Sequence, residues 1–129
     1  MILSDFEGQW RLDRQIEHDD GTIARFSGTA QLTPDPDGLV YDETGTLEIP
    51  GQATMQATRR YFWKEGLTMW FEDGRFFHTI PLDGAEAHHN CPPDDYRVRY
   101  DFSEWPTWKT FWQVSGPRKS YRMASIYVR

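Results

Sequence analysis

Four ionisable side chains fall at positions that the alternation of the sequence predicts to face inward. They are Arg14, Glu43, Arg59 and His78. Charged residues on a core face are rare unless they are paired, so this set is the most informative feature of the chain. Two guanidiniums against one carboxylate leave a positive charge over, and arginine offers a two-pronged donor to carboxylate or phosphate. The set is therefore either a self-neutralised buried cluster, with both arginines sharing Glu43, or a polar pocket for a small anionic ligand.

A catalytic alternative uses the same cavity. His78 and Glu43 both titrate and could act as general acid and base. A single inward histidine is more often a satisfied core residue, so we favour binding without catalysis.

A second histidine-rich stretch is the segment 88–91, His-His-Asn-Cys, which two aspartates follow at 94 and 95. These residue types suit zinc, but their spacing matches no standard pair of ligand pairs. Cys91 with His89 as its base would lack a third group to orient the pair. We therefore predict no metal site and no cofactor.

The elements that position these residues are β-strands, because polar and apolar residues alternate with period two along most of the chain. Turn-forming residues separate the runs at 19–21, 34–38, 50–51 and 65–66. No run has a convincing helical period, although a short helical turn could lie in 84–93 or 103–107. The predicted strands span 6–17, 24–32, 39–49, 53–63, 67–72, 75–82, 96–102, 108–115 and 120–128. Short segments joined by tight turns predict one antiparallel meander over residues 1–129, closed into a barrel of about 8–10 strands.

Loop lengths predict which residues face each other across neighbouring strands. A three-residue loop at 19–21 sets Arg14 opposite Phe26, and a three-residue loop at 50–52 sets Glu43 opposite Arg59. The same second loop sets Tyr41 opposite Tyr61. A turn at 117–118 sets the strand 108–115 against 120–128, with Val114 opposite Tyr121, Trp112 opposite Met123 and Thr110 opposite Ser125.

A two-residue turn at 73–74 predicts a hairpin with two sets of inward residues. It sets Phe71, Met69 and Leu67 opposite Phe76, His78 and Ile80. Two glycines, Gly28 and Gly45, lie between the charged positions and are expected to leave side-chain volume open.

Bulky aromatic residues dominate the predicted interior. They are Trp10, Tyr41, Tyr61, Trp63, Tyr96, Tyr100, Trp112 and Tyr121. These rings either fill a narrow barrel or line a pocket for a flat or apolar ligand. We predict a polar end built from the four ionisable residues and walls built from Tyr41, Tyr61, Trp112 and Tyr121. A barrel without a void larger than a few waters would instead be a structural or interaction module.

Several stretches resemble known proteins. Gly8-x-Trp10 on the first strand, before a meander of long alternating strands, resembles the calycin barrels, which include lipocalins and fatty-acid-binding proteins. The stretches 71–78, 89–96 and 114–121 are similar to a bacterial family of lipocalin-like proteins of unknown function. The resemblance implies a fold and no activity. A haem-binding calycin would be expected to take its iron ligand from a late histidine, and residues 90–129 contain none.

Composition limits the partners and the location. The 129 residues carry a formal net charge of -6, and aromatic residues make up 16% of them. An acidic chain lacks the basic surface that nucleic acids or anionic membranes require. The sole cysteine excludes an intrachain disulfide, and we find neither a secretory signal nor an apolar run of about 20 residues. We therefore expect a cytoplasmic protein. Basic residues late in the chain could form a homodimer surface.

Overall fold

The computed structural model describes residues 1–129, which form ten antiparallel strands and one short 3-10 helix, Leu3–Phe6. The strands are β1 (Gly8–His18), β2 (Ile23–Asp35), β3 (Gly38–Glu48), β4 (Met55–Lys64), β5 (Thr68–Phe71), β6 (Phe76–Thr79), β7 (Glu86–Cys91), β8 (Asp94–Glu104), β9 (Thr107–Ser115) and β10 (Ser120–Val128). The predicted all-β meander is therefore confirmed. No helix in the structure has the length and apolar character to cross a membrane.

The sheet closes on itself almost completely. Its strand order is β6-β5-β4-β3-β2-β1-β10-β9-β8-β7, so the first and last strands of the chain pair with each other. The two ends of this order, β6 and β7, lie side by side without a ladder of backbone hydrogen bonds. The result is a nearly closed barrel with one seam.

Three predicted registers are confirmed. Arg14 lies opposite Phe26, and Glu43 lies opposite Arg59. On the last hairpin, Thr110 lies opposite Ser125. The connections between these strands are short, at 19–22, 49–54 and 116–119, and a short connection leaves the two strands little freedom to slide.

The predicted hairpin of β5 and β6 is partly wrong. Met69 lies opposite His78 as expected, but Phe76 lies opposite Trp70 and not Phe71. The loop holds one residue more than predicted, because the backbone N–H of Phe71 donates to the carbonyl of Arg75 and Gly74 has a left-handed φ of 90°. The extra residue shifts the register, which turns Phe76 outward (44% exposed) and leaves Phe77 buried (3% exposed).

Two further elements differ from the prediction. The segments 84–93 and 103–107 were open to a short helical turn, but neither holds one, and the first forms β7, which pairs with β8. The alternation that was expected to begin at Phe6 begins instead at Gly8, because residues 3–6 form the 3-10 helix. This helix places Phe6 inside the barrel at one end.

The core occupies that end of the barrel, which we call the closed end. Phe6 makes edge-to-face contacts with Trp63 and Trp108 at centroid distances of 5.1 and 5.5 Å. The indole N–H of Trp10 donates to the carbonyl of Phe6 at 3.0 Å, and the Arg129 guanidinium lies 4.0 Å from the centre of the Trp10 ring. The rings therefore form a packed aromatic plug.

Candidate functional site

The barrel interior contains one buried ion pair, between Arg14 on β1 and Glu43 on β3. The two Nη atoms of Arg14 donate to the two carboxylate oxygens of Glu43 at 3.0 and 2.7 Å. Only 8% of the Arg14 side chain and 5% of the Glu43 side chain are exposed. Bidentate geometry of this kind is the strongest pairing available to a carboxylate.

Neighbouring hydroxyl groups form further hydrogen bonds with both members of the ion pair. Arg14 Nε donates to Ser125 Oγ at 2.7 Å, and the Tyr41 hydroxyl donates to Glu43 Oε1 at 2.5 Å. The Tyr127 hydroxyl lies 2.8 Å from that of Tyr41. Almost every donor and acceptor of the two charged groups is thus satisfied inside the protein, as buried charges require.

The surroundings shift the pKa values of this group. Burial by itself would raise the pKa of Glu43, but the charge and hydrogen bonds of Arg14 and the hydrogen bond from Tyr41 lower it below its ordinary value. Burial raises the pKa of Tyr127 to about 12. The carboxylate is therefore ionised and the phenols are neutral at neutral pH.

Arg59 on β4 is different from Arg14. It lies opposite Glu43 in the register, yet no carboxylate approaches within the 4.0 Å of an ion pair. Its hydrogen bond to a protein group runs from Nη1 to the Tyr61 hydroxyl at 3.4 Å. The expected sharing of Glu43 by both arginines is therefore corrected: Arg14 takes both oxygens, and the spare positive charge resides on Arg59.

The inner part of the barrel is a narrow slot between the ion pair and the aromatic plug, which we call the inner slot. Its volume is about 40 Å³, enough for a few waters, and most of its lining residues are hydrophobic. The residues at its walls include Tyr61, Phe77, Tyr96, Trp108, Thr110 and Trp112.

Three buried polar atoms of slot-lining residues have no hydrogen-bond partner. They are the indole nitrogens of Trp63 and Trp108 and the hydroxyl of Thr110. A buried polar group without a partner costs about 1–3 kcal/mol. By contrast, the indole of Trp10 is satisfied by a carbonyl in the plug.

A wider cavity of about 240 Å³ lies at the other end of the barrel, which we call the mouth. Its walls are mostly apolar, from Ile16, Leu47, Ile49 and Ala57. The mouth and the inner slot share five lining residues, which makes them adjoining compartments. These are Arg14, Glu43, Arg59, Tyr121 and Met123.

The two interior glycines do not leave open volume, contrary to expectation. A Cβ at Gly28 would lie 2.1 Å from the carbonyl oxygen of Thr44, and one at Gly45 would lie 2.8 Å from the ring of Phe26. Gly28 and Gly45 face each other across β2 and β3. They permit a close approach of the two strands, and the space is already taken.

His78 does not belong to the polar end with which it was grouped. Its Nε2 lies 2.8 Å from the Tyr100 hydroxyl, and its ring packs against Phe77 and Trp112. It is buried and does not line the inner slot. Burial, with a smaller contribution from His89, lowers its pKa to about 3, so the ring is neutral.

The four aromatic side chains predicted as walls, Tyr41, Tyr61, Trp112 and Tyr121, all line the inner slot. Sequence reasoning missed Ser125 and Tyr127, whose hydroxyl groups accept hydrogen bonds from Arg14 Nε at 2.7 Å and from Arg14 Nη2 at 3.4 Å. Both lie on β10, and the pairing of β10 with β1 depends on barrel closure, for which no loop length gives a register. The sequence does contain a signal for them, since the hydroxyl residues Ser125 and Tyr127 lie two positions apart on one strand and so face the same side.

The histidine-rich stretch lies on β7. His88 hydrogen bonds to Asp95, and the Arg75 guanidinium lies 3.8 Å from the sulfur of Cys91. No group of three His, Cys, Asp or Glu side chains is arranged to hold a metal ion.

Comparisons with known proteins address the fold and the family. The chain resembles the structure of an S-type phycobiliprotein lyase, CPES, from Guillardia theta, with a TM-score of 0.62 and 11% identity over 98% of this chain and 89% of that one. No curated protein matches the sequence. Residues 6–129 match the model of a family of unknown function, DUF6314. The chain therefore belongs to the DUF6314 family.

Proposed function

We propose that the protein binds a small organic anion in the mouth of the barrel, with Arg59 as the group that contacts the negative charge. The observation that carries the proposal is the contrast between the two arginines that line the cavities, of which the Arg14 side chain is buried and Arg59 is exposed. Arg14 is neutralised by a bidentate carboxylate, whereas Arg59 has no carboxylate partner. A guanidinium left free at a cavity is suited to receive a carboxylate, sulfonate or phosphate.

The walls of the mouth support an organic ligand over a bare inorganic ion. Aliphatic side chains from Ile16, Leu47 and Ile49 line it, and Tyr121 lies where the mouth meets the inner slot. A pocket with apolar walls and one charged group orients an amphipathic molecule. The charge would face Arg59 and the apolar part would contact the walls.

The dimensions favour a small ligand over a long acyl chain. The mouth provides about 240 Å³, and the inner slot beyond it adds only about 40 Å³. Typical pockets for drug-sized ligands span roughly 300–1,000 Å³. A protein of similar fold is a phycobiliprotein lyase in Guillardia theta, so this fold is not restricted to purely structural roles.

The catalytic alternative has less support. Both oxygens of Glu43 are held by Arg14, and its pKa is lowered, so it is a poor proton donor. His78 is buried away from the slot surface and bonded to Tyr100. A general acid or base needs a free atom at the surface of the cavity. Glu43 lines both cavities, but Arg14 occupies both of its oxygens, and His78 lines neither the inner slot nor the mouth.

The proposal is tested with 1-anilinonaphthalene-8-sulfonate, a fluorescent aromatic anion. We expect this probe to bind the parent protein and to lose affinity by about 10-fold or more in Arg59→Met, because a hydrogen bond to a charged group contributes about 1.5–3 kcal/mol.

The matched control is Arg60→Met. Arg60 is the next residue on the same strand, but it pairs with Asp42 on the outer face, at 2.7 Å. Both substitutions change the net charge equally, so we expect the control to bind within about twofold of the parent. Equal affinities in Arg59→Met and Arg60→Met would overturn the proposal.

A further inference from the structure

A row of polar side chains crosses the barrel wall beside the inner slot. Arg14 on β1 faces Ser125 on β10, Ser125 faces Thr110 on β9, and Thr110 faces Tyr100 on β8. Hydrogen bonds hold both ends of the row, from Arg14 to Ser125 and between Tyr100 and His78. Thr110, in the middle, is the member whose hydroxyl has no partner.

Two buried indole N–H groups also lack a hydrogen-bond partner. Trp63 and Trp108 line the inner slot with Thr110, all three are at most 2% exposed, and none of their side-chain polar atoms is hydrogen bonded. Their rings lie 6.1 Å apart between centroids. Since buried polar atoms are nearly always paired in folded proteins, three unpaired ones around one slot need an explanation.

We propose that Thr110, Trp63 and Trp108 form a neutral subsite that receives an oxygen atom of the ligand. This inference rests on the proposed function and specifies its ligand class. An indole N–H can only donate, and a threonine hydroxyl can donate or accept, so the complementary group is a carbonyl or hydroxyl oxygen. The ligand is then a small organic acid with its acid group at Arg59 and an oxygen substituent in the slot. Unsubstituted hydrocarbon acids are disfavoured.

The size of the slot agrees with this assignment. A volume of about 40 Å³ admits a substituent of a few atoms and not a second ring. The slot and the mouth share Arg59 in their linings, so one molecule can contact both subsites. In the ligand-free protein, the same space is large enough for water, which the ligand oxygen would displace.

The test compares two acids that differ by one hydroxyl group, 3-phenylpropanoate and 3-(4-hydroxyphenyl)propanoate. Dissociation constants are measured by calorimetry for the parent, Thr110→Val and Arg59→Met. We expect the parent to bind the hydroxylated acid about 3- to 10-fold more tightly, and Thr110→Val to show a smaller preference because only the two indole donors remain. Arg59→Met should weaken both acids alike. Thr44→Val, on an exposed outer position, is the matched control and should keep the parent's preference.

A second measurement does not depend on the variants. In ¹H–¹⁵N spectra of the parent, the indole resonances of Trp63 and Trp108 should move with the hydroxylated acid and move less with the plain one. If Thr110→Val does not fold, the difference between the shifts caused by the two acids tests the subsite by itself.

Equal affinity of the two acids for the parent, or a preference that is undiminished in Thr110→Val, would overturn the subsite. If both acids bind equally and depend on Arg59, the subsite fails while the proposed function stands. If neither acid binds, the subsite is also overturned, and the titration with 1-anilinonaphthalene-8-sulfonate decides the proposed function separately.

Discussion

The two ends of the barrel are built from the same strands but differ in how completely their side chains are satisfied. At the closed end, Phe6 and Trp10 are fully packed, and the Trp10 indole is bonded to a carbonyl. At the mouth, apolar residues such as Ile49 are only partly covered, and Arg59 lacks a carboxylate partner. The closed end is therefore the fully packed part of the barrel, and the mouth retains a charge without a carboxylate partner.

The two arginines show the same difference within a single site. Arg14 is enclosed by an ion pair and hydroxyl groups, so its charge is already compensated within the protein. Arg59 lies on the neighbouring strand to Glu43 and is left out of that pair. Residue type alone does not separate a structural charge from a binding charge; the number of satisfied partners does.

The largest effect should come from the plug. Trp10→Ala removes a fully buried ring, its hydrogen bond and its contact with Arg129, and is expected to reduce the free energy of unfolding by about 5 kcal/mol. The control at the other end is Ile49→Ala, for which we expect a loss under about 1 kcal/mol. Urea denaturation measures both. Equal losses would contradict the division of the barrel into two ends.

A somewhat smaller loss is expected when the ion pair is broken. Glu43→Leu leaves the Arg14 charge buried without a partner and should reduce the free energy of unfolding by about 3–4 kcal/mol. The double variant Arg14→Leu with Glu43→Leu should recover most of that loss, since it buries no charge. A double variant with the same free energy of unfolding as Glu43→Leu would contradict a structural role for the Arg14 charge.

The buried histidine should make stability fall in mild acid. The pKa of His78 is lowered from 6.5 to about 3 by burial, so the unfolded chain takes up the proton first. The stabilisation is complete above pH 6.5 and is lost as the pH falls toward 3, at up to about 1.4 kcal/mol per pH unit. Denaturation at pH 6.5 and pH 5 should therefore differ by about 2 kcal/mol, and His78→Gln should reduce this difference. An unchanged difference in that variant would assign the acid sensitivity to other groups.

The smallest effect on stability should be that of Arg59→Met. An exposed guanidinium with one long hydrogen bond contributes little to folding, so the free energy of unfolding should change by less than about 0.5 kcal/mol. The same substitution at Arg14 should cost several kcal/mol by leaving Glu43 unpaired. A large loss in Arg59→Met would show that its charge is structural.

Much of this arrangement could be predicted from the sequence because local pairing follows loop length. The registers that place Arg14 beside Phe26 and Glu43 beside Arg59 depend on three-residue loops, and both are correct. The hairpin at 72–74 could not be predicted as well, since a left-handed Gly74 is compatible with a two- or a three-residue loop.

The same reasoning named both arginines as partners of Glu43 but could not show that Arg14 alone would bind both of its oxygens. Register predicts neighbouring Cα atoms, and it placed Arg59 next to Glu43. The actual partner, Arg14, reaches Glu43 from β1 with its Nε fixed by Ser125 of β10. The bond to Ser125 forms only after β1 and β10 have closed the barrel, a pairing between residues more than 100 positions apart.

The most direct test of the central claim follows the two arginines in one experiment. The guanidinium carbon resonances of arginine-labelled protein, assigned with Arg14→Met and Arg59→Met, are recorded during titration with 1-anilinonaphthalene-8-sulfonate. We predict that the Arg59 resonance moves in proportion to the bound fraction while that of Arg14 stays in place. Movement of Arg14 with an unchanged Arg59 would contradict the account.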